Sequence, residues 1–484
     1  MTANWKSALF LMLLVACSST VARAQTAETG ALAGNISDPT GAVVAGADIA
    51  TTNQATGQIR TSVSQGDGRY TLALLPPGTY KISVKKTGFS EEVQKDIHID
   101  VGGTTRLDIV MALGELSQKV TVEASPTMAD TESSTLGRVV NEQAVENLPL
   151  VTRNYTQVIG LSPGIEAPVT NATELGRGSG GTSPTQTTEG LFVNGARSYD
   201  NNYQMNGISV NDNESTGASS GGIPIPNSDT IAEFKVQTAL YDASFGHNAG
   251  ANVDVLTKGG SDQFHGSLFE FFRNEALNAN DFFFNLTGQP RPVLRQNQYG
   301  FTLGGPIWKD KLLFFGSYQG TRQLNGASTA VSTTCSASLF SPPLTNDRSA
   351  VALGALFAGQ SGAEGGVAIK ADGSNINSSA LQLLQFKLPN GDFLIPTPQT
   401  INSSKPFASQ GFSTFSEPCS FDENQYMANI DYLMSSKGKL SGRFFLVDSA
   451  QKVTFPVGTF VGPGNVPGFP SNSITDPRAF SIAY

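Results

Sequence analysis

The three histidines are the residues from which metal or acid–base chemistry would first be expected, and they are far apart. His98, His247 and His265 do not occur in a His-Glu-x-x-His or His-x-x-Glu pattern. A zinc peptidase needs closely spaced His and Glu ligands on one scaffold. We therefore expect no catalytic residue, no metal ligand set and no bound cofactor.

Two glycine-rich stretches, 176–190 and 211–226, raise the question of phosphate binding. Neither contains Gly-x-x-x-x-Gly-Lys-Ser/Thr, and no Gly-x-Gly-x-x-Gly opens a helix after a strand. The net charge is −9, the isoelectric point is near 5.0, and no basic patch interrupts this balance. We therefore expect neither a nucleotide site nor nucleic acid as a partner.

Residues 1–24 are predicted to be a signal peptide. Lys6 supplies the positive charge, 8–16 is a short apolar core, and Ala22-Arg23-Ala24 fits a cleavage site. The run that ends at Cys17 also resembles the lipidation signal of a lipoprotein, but we prefer cleavage after Ala24. Either reading predicts export.

The other two cysteines, Cys335 and Cys419, would then lie in a compartment that permits disulfides. They flank one long segment between two predicted strands. We predict a disulfide between them, and two unrelated free thiols are the alternative.

Residues 28–114 contain about seven short β-type runs separated by turn signals. The side chains alternate, so that Tyr80, Ile82 and Val84 share one face. This pattern predicts a small β-sandwich. The predicted strands are 30–37, 43–51, 59–64, 69–74, 79–85, 93–101 and 104–111.

Residues 125–260 combine short strands with little helix. Asn141 is a suitable N-cap for a helix over 142–147, and 153–159 could form a second helical turn. Strands are predicted at 191–193, 234–237 and 251–257, and turns at Asn194-Gly195, Asn206-Gly207 and Gly259-Gly260.

From residue 261 onward the sequence alternates in segments of about ten residues, as expected of a transmembrane β-barrel. On one face lie Asn297, Tyr299, Phe301, Leu303, Tyr426, Ala428, Ile430 and Tyr432, and on the other Gln298, Gly300, Thr302, Gly304, Gln425, Met427, Asn429 and Asp431. Leu440, Phe444 and Leu446 likewise oppose Ser441 and Arg443. Short turns are predicted at 305–311 and 435–439, and long outward segments at 274–295 and 323–422. A soluble all-β protein is the alternative, which the contrast between short turns and long segments argues against.

One feature of this region weakens the barrel prediction and another supports it. The first strand, 264–273, alternates poorly because Phe271 and Phe272 are adjacent. Trp308, Phe314, Phe315 and Tyr318 suit the aromatic girdles of a membrane barrel.

Several motifs resemble those of TonB-dependent outer-membrane receptors, most closely the Oar-like subfamily. The plug resemblance is carried by VNGAR at 193–197, YQMNG at 203–207, EFKV at 233–236 and YDASFG at 241–246. Asp67-Gly68-x-Tyr70 and Leu75-Pro76-x-Gly78-x-Tyr80 resemble the carboxypeptidase-regulatory-like domain, which is a transthyretin-like sandwich that some carbohydrate-binding modules share. The resemblance implies an all-β-dominated chain: signal peptide 1–24, sandwich 28–114, linker 115–124, small α+β plug 125–260 and barrel strands 261–484.

The resemblance also implies partners and a function. Lys119, Val120, Thr121, Val122 and Glu123 form a β-prone run with no evident strand partner, and its position matches the TonB box, which pairs with the periplasmic TonB protein. An ordinary linker is the alternative. The expected function is energised uptake of an oligosaccharide, peptide or metal chelate across the outer membrane, with the sandwich in the periplasm. A surface glycan-binding or adhesion protein and a secretion or signalling receptor are the alternatives. About six strands can be placed before Tyr484, whereas plugged barrels have about 22, so we expect an incomplete barrel.

Overall fold

Strands dominate the computed structural model, which confirms the predicted fold class. The structure describes residues 29–114, 119–122, 135–148, 150, 153, 155–166, 192–197, 200–211, 226–241, 245–246, 248–280, 282–286, 288, 290–326, 333–334, 336–361, 365–389, 391–416, 418–435, 438–453, 455–456, 471–475 and 478–483. The predicted signal peptide, Cys17, the loop 176–190 and most of the loop 211–226 lie outside these residues. The chain divides into two units, the first containing the N-terminal sandwich and the second a middle α+β domain followed by a large sheet.

The sandwich packs two sheets around one apolar core. One sheet has the order β4-β1-β7, with β8 also paired to β1, and the other has the order β3-β2-β5-β6-β9. Tyr80, Ile82 and Val84 share one face of their strand, as predicted, and are buried. The strands are β1 (Gly30–Ser37), β2 (Asp48–Asn53), β3 (Ile59–Val63), β4 (Arg69–Leu75), β5 (Gly78–Lys85), β6 (Glu91–Ile99), β7 (Thr104–Arg106), β8 (Ile109–Val110) and β9 (Lys119–Val122).

Two of the predicted sandwich strands differ from the observed ones. The run 43–51 becomes a strand only at Asp48, because Gly46 adopts a φ of +67°. The run 104–111 is divided into β7 and β8, since the carboxylate of Asp108 accepts the Asn35 N–H at 2.8 Å and replaces a backbone acceptor there.

The middle domain is a five-stranded sheet with helices packed on one face. Its sheet order is β10-β15-β16-β13-β14, and only β13 and β16 run parallel. Phe234, Val236 and Val253 on the sheet pack with Val145 and Val158 on the helices. The elements are β10 (Leu136–Asn141), α1 (Glu142–Asn147), α2 (Thr156–Ile159), β11 (Ile165–Glu166), β12 (Phe192–Val193), β13 (Asn202–Met205), β14 (Ile208–Ser209), a 3₁₀ turn (Ser228–Thr230), β15 (Ile231–Ala239) and β16 (Asn252–Thr257).

The local signals of the middle domain are largely confirmed. The Asn141 side chain accepts from the Ala144 N–H and caps α1. Both Asn-Gly pairs turn the chain with positive φ values, 50° and 72° at Asn206 and Gly207. The second helix begins at Thr156 rather than at residue 153, because Arg153 has a φ of +53° that no right-handed helix admits.

The large sheet is antiparallel and open, with β17-β18-β19-β24-β25 side by side. Two short strands, β27 and β28, share the sixth position by pairing with different halves of β25. The elements of this region are β17 (His265–Asn274), a 3₁₀ turn (Glu275–Leu277), α3 (Phe282–Leu286), β18 (Leu294–Trp308), β19 (Leu312–Asn325), β20 (Thr333–Thr334), β21 (Ser336–Ser341), α4 (Ala350–Phe357), α5 (Ser378–Gln385), β22 (Thr400–Ile401), a 3₁₀ turn (Phe407–Ser409), β23 (Gly411–Ser416), β24 (Cys419–Ser435), β25 (Gly438–Val453), β26 (Phe455–Pro456), β27 (Ser471–Thr475) and β28 (Arg478–Ala483).

The predicted long segment 323–422 contains structure of its own. Residues 336–416, here called the insert, carry α4, α5 and a three-stranded sheet of order β21-β23-β22. Leu344 and Leu353 provide buried apolar packing inside the insert. Among the described residues, no helix is both long enough and apolar enough to cross a membrane.

Candidate functional site

The candidate TonB box is a strand of the sandwich. Lys119–Val122 forms β9, which pairs in parallel with β6 through Lys119 opposite Glu91 and Val122 opposite Gln94. The expectation that this run has no strand partner in the neighbouring domains is therefore wrong. Its β-branched residues were a correct strand signal, but the exposed edge of β6 that accepts them is a property of the folded sandwich. Glu123 lies outside the described residues.

The two faces of the large sheet differ in polarity, as the alternation predicts. The inner side chains are buried and mostly polar, whereas Phe301, Ile430 and Tyr432 on the outer face are 44%, 49% and 41% exposed. On the outer face, the aromatic rings of Tyr299, Phe301, Tyr318 and Tyr426 contact one another. The buried polar residues of the inner face are Gln296, Gln298, Thr302, Gln319, Thr321, Gln323, Gln425, Asn429, Asp431 and Ser441.

The aromatic girdle prediction needs one correction. Phe315 is buried on the inner face, where it packs with Met427, Phe445 and Val447. It therefore cannot face lipid from this position. The cause is that residues 312–315 are apolar on both faces, so composition does not reveal which side chains point inward.

The middle domain is hydrogen-bonded to the inner face where its last strand ends. Asn429 on β24 donates to the Thr257 hydroxyl at 3.1 Å and to the Lys258 carbonyl at 2.7 Å. The Asn206 side-chain oxygen accepts from both the backbone N–H and the hydroxyl of Thr257 at 3.0 Å. Three elements, the β13–β14 turn, β16 and β24, therefore meet at one threonine.

Gly259-Gly260 does not form the predicted turn. Instead, these two residues pass close to the inner face of the large sheet. A Cβ on Gly260 would lie 2.5 Å from the backbone N and O of Phe314, and one on Gly259 would lie 2.7 Å from an Asp431 carboxylate oxygen. Asp431 itself is held by Arg443 at 2.8 Å and by the Ser441 hydroxyl at 2.7 Å. The two glycines let the chain pass flat against the sheet.

A second ionic cluster connects the end of β16 to helix α1. Lys258 Nζ lies 2.6 Å from a carboxylate oxygen of both Glu142 and Glu146. Burial by itself disfavours the charged amine, but the two carboxylates outweigh it and raise the pKa of Lys258.

Arg153 fixes the other side of the middle domain against β17. Its guanidinium donates to the Asp229 carboxylate and lies 4.0 Å from the ring centre of Phe271 and 5.0 Å from that of Phe269. This contact explains the poor alternation of the first strand, because Phe271 faces inward to cover the arginine while Phe272 takes the outer face. The sequence analysis did not predict this role of Arg153, since an isolated arginine belongs to no recognisable pattern.

The polar face of the middle sheet holds a buried carboxyl group. Asp254 on β16 is flanked in register by Lys235 on β15 and by Gln204 on β13. Burial raises the pKa of Asp254 to about 6, although the charge of Lys235 acts in the opposite direction.

Of the predicted cysteine pair, the structure describes one member. Cys419 is buried at the start of β24 and is disulfide-bonded. Cys335 lies outside the described residues, so the pairing of the two stays a prediction.

Comparisons with known proteins agree with this architecture. The family model described as a carboxypeptidase regulatory-like domain matches residues 31–112, and the one described as an outer membrane beta barrel domain matches residues 256–484. The TonB-dependent transporter Oar of Myxococcus xanthus is 26% identical over 287 residues, which cover 55% of this chain and 25% of that protein. The chain thus spans about a quarter of the length of this curated relative.

Two solved structures are also similar in part. They are the outer membrane transporter YddB from Escherichia coli (TM-score 0.37, 12% identity, covering 66% of this chain and 34% of that one) and the siderophore receptor PirA from Acinetobacter baumannii (TM-score 0.35, 14% identity, covering 72% and 45%).

Proposed function

Because the chain is an outer-membrane protein and a homologue of the TonB-dependent transporter Oar, we propose that it serves the energised uptake of a ligand across the outer membrane. The observation that carries this proposal is the polar inner face of the large sheet, to which the middle domain is hydrogen-bonded through Asn429. In this proposal the middle domain is the plug, the sandwich lies in the periplasm, and no covalent bond is made or broken.

Coupling to TonB would use the outer edge of β9. One edge of this strand pairs with β6, and no described strand occupies the other. A strand of TonB can add to that edge through backbone hydrogen bonds and continue the five-stranded sheet. The sandwich would thus hold the coupling strand extended before TonB arrives, which lowers the entropy cost of pairing.

Force applied to β9 would reach the middle domain through an edge strand of its sheet. The chain continues from β9 to β10, which is the edge strand of the middle sheet and pairs only with β15 among the described strands. Pulling on an edge strand breaks its hydrogen bonds one after another. The contacts that hold the plug to the inner face of the large sheet, such as the hydrogen bond from Asn429 to Thr257, are polar. Water can replace such hydrogen bonds as a path opens.

A backbone substitution in β9 tests the coupling step. Val120→Pro removes an N–H from β9, so in cells that express the complete gene it should abolish co-purification with the TonB periplasmic domain. Val120→Thr keeps the N–H and the β-branched shape and is the matched control. Unchanged TonB capture by Val120→Pro would show that Lys119–Val122 serves only as a strand of the sandwich and does not bind TonB.

A further inference from the structure

Lys258 is bonded to three parts of one structural unit at once. Its backbone N–H donates to the carbonyl of Thr230 in the 3₁₀ turn at 2.8 Å, and its own carbonyl accepts from the Asn429 side chain on β24 at 2.7 Å. Its Nζ lies 2.6 Å from a carboxylate oxygen of both Glu142 and Glu146 on α1. Lys258 therefore connects α1 to the inner face of the large sheet.

Helix α1 buries little apolar surface, so its attachment depends on these ion pairs. Of its six residues, all of which the structure describes, Val145 alone is buried. Glu142 and Glu146 are four residues apart and share one face of the helix, where both reach the same ammonium group. The Lys258 side chain is 15% exposed, so water screens these ion pairs less than pairs on an open surface. We call Lys258, Glu142 and Glu146 the Lys258 cluster.

Strand β10 and helix α1 are consecutive but are held in different ways. β10 ends at Asn141, and α1 begins at Glu142. Among the described strands, β10 pairs with β15 alone, through backbone hydrogen bonds at the edge of the sheet. A pull on the chain before β10 therefore separates β10 from β15 first and loads the Lys258 cluster next.

We propose that the Lys258 cluster is a mechanical stop, which halts extraction of the chain at α1 and transfers the load to the Asn429 contact. The load passes from the two carboxylates through the Lys258 side chain to its carbonyl, which Asn429 holds. The contact between the middle domain and the inner face is then loaded while the core of the middle domain is still closed. The inference rests on the proposed function in one respect, that TonB supplies the pull on β9.

Pulling on the purified complete protein in a lipid bilayer tests this inference without TonB. A biotin acceptor peptide inserted after Glu123 provides the handle, and atomic force microscopy records the force. We expect two successive force peaks, one for β10 and one for the Lys258 cluster. They should be separated by the length of β10, which is six residues, or roughly 20 Å of extended chain. A single peak, or a second peak at a different spacing, would overturn the proposal.

Substitutions assign the second peak to named residues. Lys258→Met keeps the aliphatic length but removes the charge, so the second rupture at constant load should become about tenfold or more faster. Glu142→Gln combined with Glu146→Gln should have the same effect, and adding both to Lys258→Met should change little more, because the same ion pairs are lost. Asn429→Ala should also weaken the second peak, because the Lys258 carbonyl loses its donor. Lys370→Met is the matched control, since Lys370 is exposed and lies in the insert.

The β10 peak separates a mechanical role from a general loss of stability. It should be unchanged in every variant, because none of them removes a hydrogen bond between β10 and β15. Equal weakening of both peaks in Lys258→Met would contradict the proposal, as would an unchanged second peak in Lys258→Met or in Asn429→Ala. Capture of TonB does not enter this measurement, so a failure of the proposed coupling and a failure of the stop can be told apart.

Discussion

At the scale of single residues, the middle domain carries charges in places where their protonation affects stability. Asp254 is the clearest case, because burial raises its pKa from 3.8 to about 6. Between these two values the folded protein holds more protons than the unfolded chain. Stability therefore decreases as the pH rises through this window, and by pH 7 the charged form costs about 3 kcal/mol.

Replacing Asp254 by asparagine should remove this dependence. Asp254→Asn should raise the melting temperature of the detergent-solubilised protein at pH 7.5 and have little effect at pH 4, where the wild-type carboxyl group is neutral in the folded state. Asp422→Asn is the control, since the Asp422 side chain is 57% exposed. The same gain for Asp254→Asn at both pH values would contradict the assignment to this carboxyl group.

Residue types alone predicted some of these sites and not others. Asn429 and Asp431 could be placed on the inner face because strand alternation is local and has a period of two. Arg153 could not be assigned, because its partners Asp229, Phe269 and Phe271 are 76 or more residues away along the chain. Its positive φ of 53° is likewise not a conformation that arginine itself favours, so the sequence gives no signal for it.

At the scale of elements, the attachment of the middle domain depends on a segment without side chains. Gly260 passes so close to Phe314 that a Cβ would lie 2.5 Å from backbone atoms of β19. The backbone of a paired strand cannot shift without losing hydrogen bonds. The chain around Gly260 would therefore have to move away from the large sheet.

Gly260→Ala should therefore expose the neighbouring Lys258 to trypsin. We expect faster cleavage after Lys258 in the folded, detergent-solubilised protein, detected by mass spectrometry of the fragments. Gly246→Ala is the matched control, because a Cβ there meets no atom within 4 Å. If both variants resist trypsin equally well, the close approach does not hold the segment in place.

The facing of some strands could be predicted from the sequence, whereas that of β19 and the pairing of β9 could not. The outward and inward residues of β18 and β24 were predicted correctly because each strand alternates cleanly. In β19, residues 312–315 are all apolar, so the position of Phe315 depends on the register with β18 and β24. The partner of β9 was missed for a related reason: parallel pairing with β6 joins residues 28 positions apart along the chain, such as Glu91 and Lys119, and leaves no local signal.

At the scale of the whole molecule, the insert is attached to the sheet through a narrow base. β21 and β23 pair from Ser336 opposite Ser416, and β19 and β24 pair from Asn325 opposite Cys419. The two ends of the insert therefore enter and leave at neighbouring points. A covalent link across this base would fix the insert to the sheet.

The predicted Cys335–Cys419 disulfide would be that link. In the sequence, Cys335 immediately precedes Ser336, and the register partner of Ser336, Ser416, is three residues before Cys419. From this register we expect the two cysteines to be close enough to pair. The bond would close a loop of about 85 residues and stabilise the folded state by about 4 kcal/mol in the chain-entropy model.

Peptide mapping of the unreduced protein should yield one peptide that contains both Cys335 and Cys419, and reduction should separate it. In Cys419→Ser the thiol of Cys335 should become reactive toward maleimide, whereas in the wild-type protein it should not. Labelling of both thiols in the unreduced wild-type protein would rule out the bond.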